Sequence, residues 1–249
     1  MISNQDEMFF NQKTKYEFEG IIDDTIRFIE DVQLLDEKLW SELVNQFRKH
    51  TDCEDARWRG EFWGKMMRGA CLTYSYTRNK ALYDVLTKTI TEMLSLQEDN
   101  GRISSYTTDC EFDGWDIWCR KYVIVGMQYY YEICADDTLK KELISSICRQ
   151  MDYIISKVGK IEDGKILITM ATRHWRGLNS SSLLEPVMQL YNMTKQKEYL
   201  DFAEYIISCG GTSVVNIFEL AYENKIHPFQ YPITKAYEIL CDFRVRIIR

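Results

Sequence analysis

Trp58, Trp115 and Trp175 each stand 19 positions before a small or polar residue, respectively Thr77, Cys134 and Thr194. Each of those residues closes a run rich in Tyr, Met and aliphatic side chains, and a second periodic run follows five or six residues later with Leu82, Leu139 or Leu200. The unit recurs after 57 residues and then after 60. A period of that length, read as helix, turn and helix, is one hairpin copied along a solenoid or around a ring.

Composition agrees with a helical, soluble chain. Of 249 residues only three are proline and twelve glycine, so few positions break a helix, and 45% hydrophobic with 28% charged is ordinary globular usage. A net charge of −7 argues against a nucleic-acid partner, which needs a basic face. No apolar run approaches the length of a membrane span, and residues 1–12 lack a basic segment followed by an apolar one, so a cytoplasmic location without membrane contact is expected. The eight cysteines (53, 71, 110, 119, 134, 148, 209 and 241) form no Cys-x-x-Cys pair, so they read as reduced, mostly buried thiols and no metal site is visible.

Along the chain, residues 16–29 and 36–48 read as a leading pair of amphipathic helices, with Ile21, Ile22, Ile26 and Ile29 at helical spacing. The first full repeat is expected as an inner helix over 61–76 and an outer one over 80–97, closed by the turn Asp99-Asn100-Gly101. The second is expected over 115–131 and 137–157. The third opens at Asn179-Ser180-Ser181-Ser182, where Ser182 and Glu185 have capping-box spacing and Pro186 sits near enough to a helix start to be tolerated, followed by a partner helix over 197–208. Residues 165–170 read as a short strand within a loop.

Five of the six tryptophans (58, 63, 115, 118 and 175) fall just before or within the first turns of the inner helices. Polar residues crowd beside them: Arg57, Arg59 and Glu61; Asp113, Asp116, Arg120 and Lys121; Arg173, His174, Arg176 and Asn179. If the hairpins close into an α/α toroid, these starts open onto one end of the ring. Aromatic faces among carboxylates, amides and guanidinium groups suit a sugar, whose C–H faces stack on rings while its hydroxyls need donors and acceptors. The plainer alternatives are that a Trp at each repeat boundary wedges neighbouring hairpins, that a lone His174 is a hydrogen-bonded structural residue, and that Glu185 only caps its helix.

The segments Trp58 to Lys65 (WRGEFWGK), Gln97 to Tyr106 (QEDNGRISSY), Gly114 to Tyr122 (GWDIWCRKY), Gly177 to Pro186 (GLNSSSLLEP) and Lys235-Ala236-Tyr237-Glu238 occur in that order. Together they resemble the β-L-arabinofuranosidase superfamily, glycoside hydrolase family 127 and its relatives, over about residues 35–240. The resemblance implies an all-α (α/α)6 toroid and retaining hydrolysis of a glycosidic bond in oligosaccharides or polysaccharide fragments. It also implies that the acid/base glutamate and a zinc-bound cysteine nucleophile lie downstream of the segment matching Lys235 to Glu238, so the catalytic residues find no counterpart here and zinc belongs to a full-length relative.

The repeat arithmetic agrees. A fourth boundary falls at about residue 232, and six hairpins at this period need about 350 residues. The chain, one toroid domain over residues 1–249 with leading helices over 1–50 and hairpin repeats over 51–249, is therefore expected to form an incomplete ring of about four hairpins, truncated and inactive alone. Its open edge would favour self-association or a complementing C-terminal chain. The expected sugar contacts are Trp63, Trp115, Asp116, Lys121, Tyr122, His174, Arg176, Asn179, Lys235, Tyr237 and Glu238, with Asp116 and Glu238 the carboxylates to consider for acid/base work. Two other readings stay open: a non-catalytic carbohydrate-binding or scaffold fragment, and a lyase or unsaturated-uronide hydrolase in which Arg173, Arg176 and Lys121 hold a carboxylate.

Overall fold

The computed structural model describes residues 17–52, 60–227 and 230–233 together with 235, 237 and 239. Trp58 and Glu238 lie outside the described residues. Among the described residues ten α-helices follow one another: α1 (Ile21–Ile29), α2 (Glu37–Lys49), α3 (Gly60–Thr77), α4 (Lys80–Leu94), α5 (Asp116–Ile133), α6 (Asp137–Lys157), α7 (Leu178–Ser181), α8 (Leu184–Thr194), α9 (Lys197–Ser208) and α10 (Ile217–Tyr222). The sequence expectations for α6 and α9 hold at both ends. The 16–29 helix differs: α1 starts at Ile21 and runs on as a π-helical turn over Glu30–Leu34.

Short polar residues start the helices as their chemistry requires. The Asp36 carboxylate accepts from the amides of Lys38 and Leu39, Asn79 from Ala81, and Asp136 from Thr138 and Leu139. Each such cap contributes about 1 kcal/mol. The expected turn at 99–101 forms, with Asn100 accepting from the Arg102 amide at 2.9 Å and Gly101 at φ 93° beside the Arg149 carbonyl, where a Cβ would lie 2.4 Å away.

Two expectations fail for identifiable reasons. Residues 165–170 form no strand. Ile166 makes a single bridge to Val158 and Ile168–Met170 turns into a 3-10 helix, because side chains take the backbone groups a ladder would use: the Tyr205 hydroxyl accepts from the Ile168 amide and Ser180 donates to the Ile168 carbonyl. The capping box does not form either, since the Ser182 hydroxyl donates back to the Asn179 carbonyl at 2.6 Å while Glu185 pairs with Lys121. Pro186 is tolerated in the first turn of α8, as expected, and its carbonyl accepts from Gln128 at 2.9 Å.

The hairpins α3/α4, α5/α6 and α8/α9 place one helix inside and one outside. Inner helices α3 and α5 make the most extensive contact in the molecule, and α5 continues onto α7 and α8. On α5 every residue from Asp116 to Tyr130 is buried. Two glycines permit the α3–α5 approach: a Cβ on Gly64 would lie 1.9 Å from the Tyr122 carbonyl oxygen, and one on Gly126 would lie 3.0 Å from the Gly64 Cα. The two backbones touch there.

Burying α5 also buries charge, which must be paired. Arg120 Nε donates to both Asp116 oxygens at 2.9 Å and its terminal nitrogen to Glu111 at 2.7 Å; Arg102, 2% exposed, donates to Glu111 at 2.8 Å and to Glu98 at 2.5 Å. Tyr153 adds a hydrogen bond to Glu111 at 2.6 Å. Burial works to raise the Glu111 carboxyl, but Tyr153, Arg102 and Arg120 outweigh it and hold that group below the ordinary glutamate range. Burial and Glu111 push the Tyr153 phenol up to about 12.

Gly64→Ala is expected to destabilise the chain by about 2 kcal/mol or more, because backbone lies against that face and cannot yield, whereas Gly69→Ala, which meets open space, should stabilise by about 0.5 kcal/mol. Urea unfolding of both variants checks this, and equal effects would remove the claim of a backbone contact. The Glu111 carboxyl, depressed in the fold, stabilises above its unfolded pKa and loses that contribution as pH falls. Stability should therefore decline between about pH 5 and pH 3, and Glu111→Gln should flatten that decline while costing about 2 kcal/mol at pH 7, because Arg102 and Arg120 lose a charged acceptor but keep Glu98 and Asp116. Parallel pH profiles for the two proteins would contradict this.

Candidate functional site

Lys65 on α3 and Lys121 on α5 stand over a shared aromatic cluster. The Lys65 ammonium lies 5.4, 4.7 and 5.4 Å from the ring centres of Trp118, Tyr122 and Tyr237, and the Lys121 ammonium lies 5.0 and 5.2 Å from Trp118 and Tyr122. The rings meet edge to face, Trp118 to Tyr122 at 5.1 Å and Trp118 to Tyr237 at 5.8 Å, and the Tyr122 and Tyr237 hydroxyls are hydrogen-bonded to each other. Helical spacing explains the grouping, since Trp118, Lys121 and Tyr122 follow i, i+3, i+4 on one face of α5.

Carboxylates close the cluster from behind: Glu61 pairs with Lys65 at 2.8 Å and Glu185, from the first turn of α8, with Lys121 at 3.1 Å. Both carboxylates and Lys121 are buried, so each ammonium is balanced within the protein while Lys65 and Tyr237 keep contact with solvent. Cation–π contacts of this kind contribute about 1–2 kcal/mol where water is excluded. The arrangement presents one ammonium, that of Lys65, and the Tyr237 ring at the surface of a buried cluster whose two cations are each paired with a carboxylate.

The structure treats the expected contacts unequally. Lys121, Tyr122 and Tyr237 fall within the cluster, and Trp115 borders it, 6.0 Å from Trp118 and stacked 4.3 Å from His174. Asn179, on α7, is buried and its amide nitrogen and oxygen have no hydrogen-bond partner among the described residues. Trp63 does not belong: it is fully buried, and its indole N–H donates to Thr89 on the outer helix α4 at 3.0 Å, because position 63 faces away from the inner side of α3. Asp116 is likewise structural. It is fully buried and accepts from Ser104 at 2.6 Å, from the Phe112 amide at 2.9 Å and from Arg120, so it has no capacity left for proton transfer to a sugar.

Lys65 and Glu185 join the cluster although neither is among the expected sugar contacts, whereas Trp118 and Glu61 belong to the aromatic and polar grouping read from the sequence at the helix starts. The cluster's signal in the sequence was the pairing of Glu61 with Lys65 four positions on, and the Trp-x-x-Lys-Tyr spacing on α5.

A second surface adjoins the first. Arg176 and Lys235 meet it, with Trp175: Arg173, Trp175, Arg176, Pro232 and Ile233 line an open cleft of about 470 Å³, and the Lys235 ammonium lies 4.4 Å over the Trp175 ring.

Nucleophilic cysteine chemistry has no support in the described core, because burial pushes the Cys71 and Cys119 thiols well up, leaving little thiolate. Among the described residues no group of three or more His, Cys, Asp or Glu side chains is arranged to hold a metal ion.

The same helical frame occurs in solved enzymes. A GH127 β-L-arabinofuranosidase from Geobacillus stearothermophilus T6 superposes with a TM-score of 0.56 at 17% identity, over 84% of this chain and 34% of that enzyme. A second GH127 β-arabinofuranosidase gives 0.54 at 15% identity, over 76% of this chain and 32% of its own. The chain thus spans about a third of the length of these (α/α)6 toroid enzymes, and likeness at such identity establishes the fold. No curated protein matches the chain. Residues 10–232 match the family described as "Beta-L-arabinofuranosidase, GH127 catalytic domain", which covers most of the sequence, and the chain accordingly belongs to that glycoside hydrolase family.

Proposed function

We propose that this chain supplies the sugar-recognition wall of a glycoside hydrolase acting on terminal L-arabinofuranosides of oligosaccharides or polysaccharide fragments. The observation that carries the reading is the cluster of Lys65 on α3, Trp118, Lys121 and Tyr122 on α5, and Tyr237 packed against them, in a member of the GH127 family. Lys65 and Tyr237, the members that reach solvent, offer an ammonium donor and an aromatic face to a furanose ring, while the buried Trp118, Tyr122 and Lys121 hold them in place. Asn179 supports the same reading, since a buried amide left unpaired costs about 1–3 kcal/mol and a ligand hydroxyl would recover it. Retaining hydrolysis needs a nucleophile and an acid near the anomeric carbon. Asp116, Glu61 and Glu185 are each held in ion pairs, so within this chain the described residues bind and orient the sugar while others perform the chemistry.

That same engagement of the carboxylates favours a second reading, in which the chain binds sugar without turnover. One pair of measurements separates them: release of nitrophenol from an aryl β-L-arabinofuranoside, and isothermal titration with the methyl arabinoside. Binding is expected in both readings, and nitrophenol release by the purified chain would exclude the second. Lys65→Met should weaken binding about tenfold, through loss of a charged donor, and lower the unfolding midpoint by several degrees, because the buried Glu61 carboxylate loses this ion-pair partner; Kd is therefore read well below that midpoint. A titration with no sugar response, or an unchanged Kd in the variant, would remove the cluster from consideration.

A further inference from the structure

The cleft beside the cluster is built on a strained turn. Trp175 (φ 50°), Arg176 (φ 53°) and Gly177 (φ 93°) are three consecutive residues in the left-handed region, which bulky side chains such as Trp and Arg avoid at a cost of about 1–3 kcal/mol each. Gly177 is obligatory there, as a Cβ would lie 2.4 Å from the Thr169 carbonyl oxygen. The turn is clamped on both flanks: Ser213 donates its amide to the Arg176 carbonyl at 2.7 Å, Gly177 to His174 at 3.1 Å, and the Thr172 hydroxyl accepts from the His174 amide at 3.0 Å while donating to Gly114 at 2.7 Å. The strain is thus maintained by the surrounding structure, and its effect is to present the Trp175 ring, 41% exposed, and the Arg176 guanidinium together on the wall of the cleft.

The two arginines of that wall differ in one decisive respect. Arg173, though exposed, is already engaged by a bidentate pair with Asp113, whose carboxyl the Arg173 hydrogen bonds hold below its ordinary range. Arg176 makes no ion pair among the described residues and is exposed. Lys235 over Trp175 adds a second cation to the same wall. An aromatic face beside an unpaired guanidinium matches a sugar that carries a carboxylate: the C–H face stacks on Trp175 and the carboxylate takes the planar fork of Arg176 in two parallel hydrogen bonds. We infer that this cleft is a subsite for a uronate residue of the carbohydrate, adjoining the neutral-sugar cluster; it deepens the glycoside reading above and rests on it.

Isothermal titration of the full chain with digalacturonate, its dimethyl ester and methyl β-L-arabinofuranoside tests this. The acid should bind about tenfold tighter than the ester, the worth of a charge-assisted bidentate contact. Arg176→Asn, which tolerates the left-handed backbone, should reduce that preference to about twofold or less, and Trp175→Ala should weaken acid and ester alike. Equal affinity for acid and ester, a preference that survives Arg176→Asn, or complete displacement of digalacturonate by equimolar sulfate would overturn the subsite. A chain that binds the arabinoside but neither digalacturonate form loses the subsite and keeps the glycoside reading. One that prefers digalacturonate yet ignores the arabinoside keeps the subsite and loses the arabinofuranoside assignment. Failure to bind any of the three ends both.

Discussion

Everything that positions the candidate site passes through the place where α3 and α5 touch. Gly64 and Gly126 remove the side chains that would hold two inner helices at ordinary separation, and the backbones close to van der Waals contact. Lys65 follows Gly64 directly, and Tyr122 supplies the carbonyl that Gly64 faces, so cation and ring are neighbours of the contact itself. A site placed at the tightest point of a structure moves least. Precision in a binding wall depends on that, since donors misplaced by a fraction of an ångström lose much of their hydrogen-bond energy.

Charge buried with α5 imposes a second constraint, met in two separate ways. Arg120 and Asp116 pair along the helix and reach Glu111 and Arg102, which fastens the 98–116 loop to the inner helix. Lys121 instead crosses to Glu185 and so ties α5 to α8. Such pairs gain little net stability over apolar packing, but each half left alone is costly, so they punish any other register of the helices. Their value here is geometric: the same side chains that lock the inner helices in place set Trp118 and Tyr122 at the edge of the cluster.

Much of the fold was legible in the sequence because hairpin repetition is a local signal. Tryptophan spacing, Asp and Asn caps and the Asp-Asn-Gly turn are all read within a few residues, and α6 and α9 run over the residues expected of them. Features that depend on partners from elsewhere were not legible. Ser182 and Glu185 had capping-box spacing, yet Lys121 lies sixty-four positions from Glu185 and claims its carboxylate. Asp116 looked like an acid at a helix start, but a buried arginine four residues on, together with Ser104, uses its oxygens for structure. Trp63 points away from the cluster for a related reason: α3 carries apolar residues on its exposed side too, Phe62 and Leu72 among them, so the sequence shows no clean polar face to say which way an aromatic residue points.

The division between the two surfaces follows from how the chain handles charge. A protein of net charge −7 repels anions at long range, but that repulsion is screened beyond about 8 Å in physiological salt, whereas a guanidinium in contact with a carboxylate is not. Anion preference in such a molecule has to be made by contact, at one place, with the nearby charges already accounted for. The inner cluster meets the opposite requirement: Lys65 and Lys121 are each matched by a carboxylate, which leaves it without net attraction for anions. In the cleft Asp113 quenches Arg173 and leaves Arg176 to act, held outward by a turn whose backbone strain the Ser213 and Thr172 hydrogen bonds maintain. On the proposed reading a neutral sugar unit would meet the paired cluster and a charged one the Arg176 wall, because of these two surfaces only the second holds a cation, Arg176, without an ion pair among the described residues.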